Sequence, residues 1–208
     1  MATVLDRPVR VVEAVPAGSS GLTGFATAEL GDTGVGWVRG RRDQIILDRL
    51  GTGDGRPDQV PVPDPEPHEL ALQVLDTAGT FPLALSAGWV RSTVLGAERL
   101  VLVTTATVPG LRGLERVLDE LGTCPRRLAV AIQGPRRRRW PREVTACAGP
   151  RTQSLLERAE VQVPHDPGLA VRGLDTSPLP RGVLSAATTI THLLQLTGSP
   201  THHQKGNT

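Results

Sequence analysis

Short apolar runs alternate with longer stretches of helical spacing over most of the chain. The short runs predict strands at residues 9–15, 35–38, 70–75, 99–104, 128–132 and 161–163. The longer stretches predict helices at residues 22–30, 44–50, 82–95, 109–121, 142–159 and 180–196. The 109–121 stretch has one clear apolar face, and the 142–159 stretch contains Pro150, where an interruption is expected.

This repeated strand–helix order predicts an α/β fold, a three-layer sandwich around a mostly parallel, doubly wound sheet. The domain is expected over residues 9–196, after an N-terminal extension at 1–8 and before a polar, disordered tail at 197–208. In such sheets ligands bind beyond the carboxyl ends of the strands, so the loops there are the candidate sites.

The loop after the first strand is similar to a phosphate-binding loop, whose pattern is G-x-x-x-x-G-K-[ST]. Gly21 and Thr23 fit the end of that pattern between a predicted strand and a predicted helix, and Gly18 is a further glycine within the loop. Backbone amides and the helix N-terminus would hold phosphates there, and the threonine hydroxyl would bind magnesium. Leu22 stands at the lysine position, and a plain turn of small residues is the alternative interpretation.

Asp76 ends the third predicted strand, in the sequence Leu-Gln-Val-Leu-Asp-Thr. NTPases place there a carboxylate that orients magnesium and the attacking water. The alternative is a cap for the next helix. Asp48 is expected on a helix surface, or near an attacking water if its segment is a strand.

Together these loops resemble the ParA/MinD branch of P-loop ATPases, over about residues 9–196. The resemblance implies ATP or ADP with magnesium, a magnesium site at Thr23 and Asp76, and a catalytic role for Asp76. The nucleotide-binding residues that it implies are Gly18, Ser19, Ser20, Gly21, Leu22, Thr23, Pro164, His165 and Asp166. The last three would border the adenine.

Two positions depart from that family. Ala17 replaces the signature lysine, and Leu22 replaces the phosphate lysine. Removing such a lysine costs about 10³-fold or more in the rate of phosphoryl transfer. The expected protein is therefore a degenerate nucleotide-binding pseudo-ATPase that positions DNA, a plasmid, or a conjugation or secretion machine. The alternative is a nucleotide-free scaffold that binds DNA or a partner through an arginine-rich loop.

Seven arginines and no acid occupy residues 126–142. The DNA-binding residues predicted within this segment are Arg136, Arg137, Arg138, Arg139, Trp140 and Arg142. Two alternatives remain open: a solvated loop, or arginines that face the nucleotide pocket. Since 22 of the 23 basic residues are Arg, a high-GC genome explains part of this enrichment.

The net charge is only +2, so any binding of a polyanion depends on the local arginine cluster at residues 126–142 and not on the overall charge. No apolar run reaches the roughly 18 residues of a membrane span, and residues 1–10 lack the apolar core of a signal peptide. A cytoplasmic protein is the expectation. The family resemblance further implies a ParB-like or secretion/conjugation partner protein and a homodimer.

Overall fold

The computed structural model describes residues 5–15, 21–51, 59–65, 72–77, 88–122 and 127–196. Gly18, Ser19 and Ser20 of the first loop lie outside these ranges, as do residues 82–87 of the predicted helix at 82–95 and the whole predicted tail at 197–208.

Five strands form a mixed sheet in the order β2-β3-β4-β1-β5. They are β1 (Val9–Glu13), β2 (Ala28–Asp32), β3 (Trp37–Arg42), β4 (Ile45–Leu50) and β5 (Leu72–Asp76). Strand β1 runs parallel to β4 and to β5, whereas β2, β3 and β4 are joined as antiparallel neighbours. The carboxyl ends of β4, β1 and β5 therefore lie side by side at one edge.

Three further strands form a separate, all-parallel sheet in the order β6-β7-β8. They are β6 (Arg99–Thr105), β7 (Arg127–Gln133) and β8 (Glu160–Val163). The helices are α1 (Gly88–Gly96), α2 (Val108–Leu121), α3 (Arg142–Ala146), α4 (Pro150–Ala159), α5 (Pro167–Arg172) and α6 (Arg181–Leu193).

Helix α2 shows how the sequence produces these elements. Thr107 is its N-cap, with a side chain that accepts the Gly110 N–H, and Pro109 stands in the first turn, where no helical hydrogen bond is lost. Its apolar face, which includes Leu111 and Leu114, is buried against the second sheet. Helix α2 thus covers one face of β6 and β7.

The two sheets meet through shared packing. Leu100 of β6 packs against the core of the second sheet and also against the core formed by the first sheet and α1. On the first sheet, Arg42 donates hydrogen bonds to the carbonyls of Asp175 and Thr176, which follow α5. These contacts hold segments from the two halves of the chain together.

The broad α/β prediction is confirmed, but two predicted helices in the first half are wrong. Residues 44–50 form strand β4, and residues 22–30 form a turn followed by the start of β2. Asp43, which directly precedes the helix expected at 44–50, has a φ of 51° in the β3–β4 hairpin turn. The β-branched pair Ile45 and Ile46 favours a strand once this turn has formed.

No helix among the described residues has both the length and the apolarity needed to cross a bilayer.

Candidate functional site

Three charged residues lie next to one another at the carboxyl edge of the first sheet. Glu13 is the register partner of Arg49 on one side and of Asp76 on the other. Register partners share a face, so these side chains form a row across β4, β1 and β5, the strand-end row. Glu13 is 2% exposed and Arg49 9%, so most of this charge is removed from water.

The turn at residues 21–25 packs directly against the strand-end row. Gly21 N–H donates to Glu13 Oε1 at 3.1 Å, and Arg49 Nη1 donates to the Thr23 carbonyl at 3.1 Å. Arg49 Nη2 also donates to Glu29 Oε2 at 2.5 Å. The fold therefore brings Gly21 and Thr23 to the edge that contains Asp76, although their binding roles stay predictions.

The helix expected immediately after the first loop is absent from residues 21–25, which form turns before β2. A phosphate-binding loop draws part of its strength from the N–H groups at a helix N-terminus. Here the Gly21 N–H, one of the predicted phosphate donors, is hydrogen-bonded to the Glu13 carboxylate. The Glu13 carboxylate thus occupies the Gly21 N–H, which a bound phosphate would need as a hydrogen-bond donor.

Thr23 and Asp76 offer hydroxyl and carboxylate oxygens, which suit magnesium, and Glu13 adds a carboxylate beside them. The Arg49 guanidinium, however, binds the Thr23 carbonyl in the same place. No group of three or more metal-ligating His, Cys, Asp or Glu side chains exists within the described ranges. The oxygen ligands are of the type that magnesium prefers, whereas the positive charge of Arg49 beside them disfavours binding of a second cation.

The predicted adenine-bordering residues follow β8 in the second sheet. Pro164 and His165 are exposed, and Asp166 caps α5 by accepting the Leu169 N–H at 2.9 Å. The chain after α5 then approaches the first sheet, where Arg42 lies 4.8 Å from the Phe25 ring centre. Arg42 thus contacts both Phe25 of the turn at residues 21–25 and the carbonyls of the segment after α5, so these two segments lie close together.

The arginine-rich segment follows the carboxyl end of β7 and contains a short 3-10 helix, Arg137–Arg139. Arg137 is half-buried, while four other side chains are exposed: Arg136, Arg138, Arg139 and Arg142. We call these four the arginine surface. Within the described part of the chain, none of the four forms an ion pair.

Trp140, predicted among the DNA-binding residues, exposes too little of its side chain to stack on a base. Its side chain is 9% exposed and packs in the core of the second sheet, with Val144 in the same cluster. Its indole Nε1–H donates to the Pro135 carbonyl at 2.8 Å. Burying the indole gains apolar contact while its polar atom keeps a partner, so Trp140 anchors the segment.

Sequence reasoning missed the strand-end pair of Glu13 and Arg49, and it misplaced Asp48. Asp48 is fully buried on β4, where it binds Arg10 and Arg39, so its expected place on a helix surface is wrong. The signal in the sequence was a charged residue inside an apolar strand, since such charges are buried only when paired.

No model of a known protein family matches the chain, and no curated protein matches it either.

Proposed function

We propose that this chain is a non-hydrolysing α/β scaffold that binds a polyanion, with DNA as the chemical class, through the arginine surface. The observation that carries this proposal is the exposure of four arginines in one short segment that has no acid ion-paired to it among the described residues. Each arginine that neutralises a phosphate releases condensed counterions, which supplies sequence-independent affinity.

The segment is also well anchored. Trp140 and Val144 fix it to the core of the second sheet on either side of Arg142. Arg137 lies close enough to lower the pKa of Glu160, which burial raises. A fixed backbone loses little conformational entropy on binding, so the ordering cost falls mainly on the four arginine side chains themselves.

The test measures binding to a double-stranded DNA of arbitrary sequence between about 50 and 200 mM salt, the range over which such interactions weaken. Replacing Arg138 and Arg139 by Gln should lower the salt slope by roughly 0.9 for each phosphate that is no longer neutralised. The matched control replaces Arg112 and Arg116, both on α2, and changes the net charge equally. Equal losses in both variants would reduce the effect to net charge and contradict the proposal.

Three features of the first loop and the strand-end row support the proposal that the protein does not hydrolyse a nucleotide. Leu22 supplies no cation for a phosphate, and the Gly21 amide donates to Glu13. Without a helix beginning at Leu22, the loop also lacks the dipole that stabilises phosphate charge. All three features lower the affinity expected for the phosphates of a nucleotide, and hydrolysis requires those phosphates to be held.

A degenerate, ParA/MinD-like nucleotide-binding regulator is the second candidate. The specific observation in its favour is that Gly21 and Thr23 pack against the row containing Asp76. Thermal unfolding with magnesium and ATP, ADP or GTP tests it, because ligand at about 100 times Kd adds roughly 2.7 kcal/mol of stability. Thr23→Ala and Asp76→Ala should reduce a genuine shift, while the exposed control Thr189→Ala should leave it unchanged.

Further features belong to this second candidate. They are a three-layer, doubly wound P-loop arrangement, a homodimer, a cytoplasmic location, and a ParB-like or secretion/conjugation partner. The parallel order β4-β1-β5 supports the first of them, because β1, which precedes the predicted loop, is paired with β5, which ends at Asp76. A nucleotide-dependent change in molecular mass, measured by light scattering, would support the dimer.

A further inference from the structure

Residues 59–65, with the sequence Gln-Val-Pro-Val-Pro-Asp-Pro, lie on the first sheet and α1 as an extended strap. Three buried or half-buried side chains donate hydrogen bonds to strap carbonyls. Trp89 Nε1 donates to Val60 at 2.9 Å, Trp37 Nε1 donates to Pro61 at 3.2 Å, and Arg10 Nη1 donates to Asp64 at 2.8 Å. We call these three donors the strap groove.

The strap is held by side chains rather than by backbone pairing. Within the described ranges it makes no backbone–backbone hydrogen bond. Prolines at 61, 63 and 65 lack an N–H, so this segment cannot extend the sheet as a regular strand. Its attachment therefore resembles that of a bound proline-rich peptide, with backbone carbonyl acceptors and side-chain N–H donors, two of them tryptophans.

The first sheet holds two of the three donors independently of the strap, since Trp37 is paired with β4 and Arg10 is bonded to Asp48. Trp37 is fully buried on β3, and Arg10 is 2% exposed and fixed by its hydrogen bonds to Asp48. Val60 enters the apolar cluster of the first sheet at 6% exposure, whereas Val62 points outward at 65% exposure. The groove thus selects one apolar side chain followed by proline, and it leaves the next side chain in solvent.

We propose that the strap groove is a recognition site for proline-rich segments, and that residues 59–65 are its intramolecular occupant. A partner peptide with prolines at alternate positions and an apolar residue before the first one takes the same place when the strap leaves. The apparent affinity of that peptide is reduced by the small fraction of molecules in which the groove is open.

Tryptophan fluorescence provides the assay, because the chain has three Trp and no Tyr, and two of those Trp form the groove. The strap variant replaces Val60, Pro61 and Pro63 by Ser to open the groove. The probe is a synthetic peptide of residues 59–65, and the control peptide carries Ser in place of its prolines. Val62→Ser is the matched control variant, because its side chain lies outside the groove.

We expect saturable fluorescence changes with the proline peptide, and an apparent Kd at least about tenfold lower for the strap variant than for the wild type. Val62→Ser should bind as the wild type does. A folded strap variant without a saturable change at millimolar peptide would overturn the proposal, and so would equal binding of the serine peptide.

Two further outcomes also decide the proposal. If circular dichroism shows that the strap variant is unfolded, Val60→Ala replaces it, and a folded Val60→Ala that binds no tighter than the wild type overturns the proposal. A concentration-dependent wild-type dimer that the strap variant cannot form would assign the groove to the strap of a second copy, which also overturns it.

Discussion

Replacing Asp48 by Asn is the sharpest test of the buried ionic core of the first sheet. Asp48 is fully buried, and its carboxylate accepts four hydrogen bonds from two guanidinium groups. Arg10 contributes Nε and Nη2 at 2.8 and 2.5 Å, and Arg39 contributes Nε and Nη2 at 2.7 and 3.0 Å. The amide keeps the shape of the side chain but removes its negative charge.

The size of the effect follows from what remains after the substitution. Arg10 is 2% exposed and would keep its charge without the carboxylate that now faces it, while Arg39 at 21% side-chain exposure can reach water. Breaking a buried pair from one side costs about 3–5 kcal/mol. For a chain of this length each kcal/mol lowers Tm by about 2–4 °C, so a fall of roughly 6–20 °C is expected.

Urea unfolding, followed by circular dichroism and by tryptophan fluorescence, measures the loss. Asp119→Asn is the matched control, because Asp119 pairs with Arg151 at 3.0 Å while their side chains are 66% and 44% exposed. An exposed pair contributes about 0–1 kcal/mol, so the control should be nearly neutral. A loss below about 1 kcal/mol for Asp48→Asn would refute the reasoning that the buried charges depend on each other.

The remaining predictions concern titration and backbone freedom. Burial raises the pKa of Glu160 above its usual value, an effect that Arg137 partly offsets, so its contribution to stability is largest at acid pH and is lost as pH rises through that pKa. Glu160→Gln should therefore be more stable than the wild type at neutral pH in chemical unfolding, and this difference should vanish below pH about 4. A difference in stability that persists below that pH would contradict the idea that it comes from ionisation of Glu160. In α2, Gly113→Ala should raise stability by about 0.5–1 kcal/mol, because its Cβ would meet nothing within 4 Å. Gly110→Ala should lower stability instead, because its Cβ would collide with the Thr105 carbonyl, and thermal unfolding of the two variants should show opposite signs.

The second half of the chain could be predicted closely from its pattern. The expected strands at 99–104 and 128–132 correspond to β6 and β7, and the expected helix at 109–121 corresponds to α2. The expected break at Pro150 separates α3 from α4. Local signals and tertiary packing agree there, since the buried face of α2 is also its apolar stripe.

The first half could be predicted only in part. The strands expected at 9–15, 35–38 and 70–75 correspond to β1, β3 and β5, whereas the pattern predicts a helix for β4, which carries the buried charge of Asp48. Arg10 and Asp48 interrupt apolar runs, and each charge is stable inside only because a partner comes from a neighbouring strand. A single sequence shows the charge but not the partner, so the pattern alone favours a helix surface for Asp48. The buried position of Arg49 is hidden for the same reason, because its carboxylate partner, Glu29, comes from β2.

The positions of the arginines argue for function more strongly than their number does. A codon bias can set how many arginines a chain carries, but folding decides where each one can be placed. Buried guanidinium groups must be paired, and the buried Arg10 and Arg49 and the half-buried Arg39 all bind a carboxylate in the first sheet. The arginine surface is under no such constraint, yet its four like charges stay close together without an ion-paired acid in the described part of the chain. Like charges repel, so this cluster costs free energy in the isolated protein, and a polyanion is the partner that would recover it.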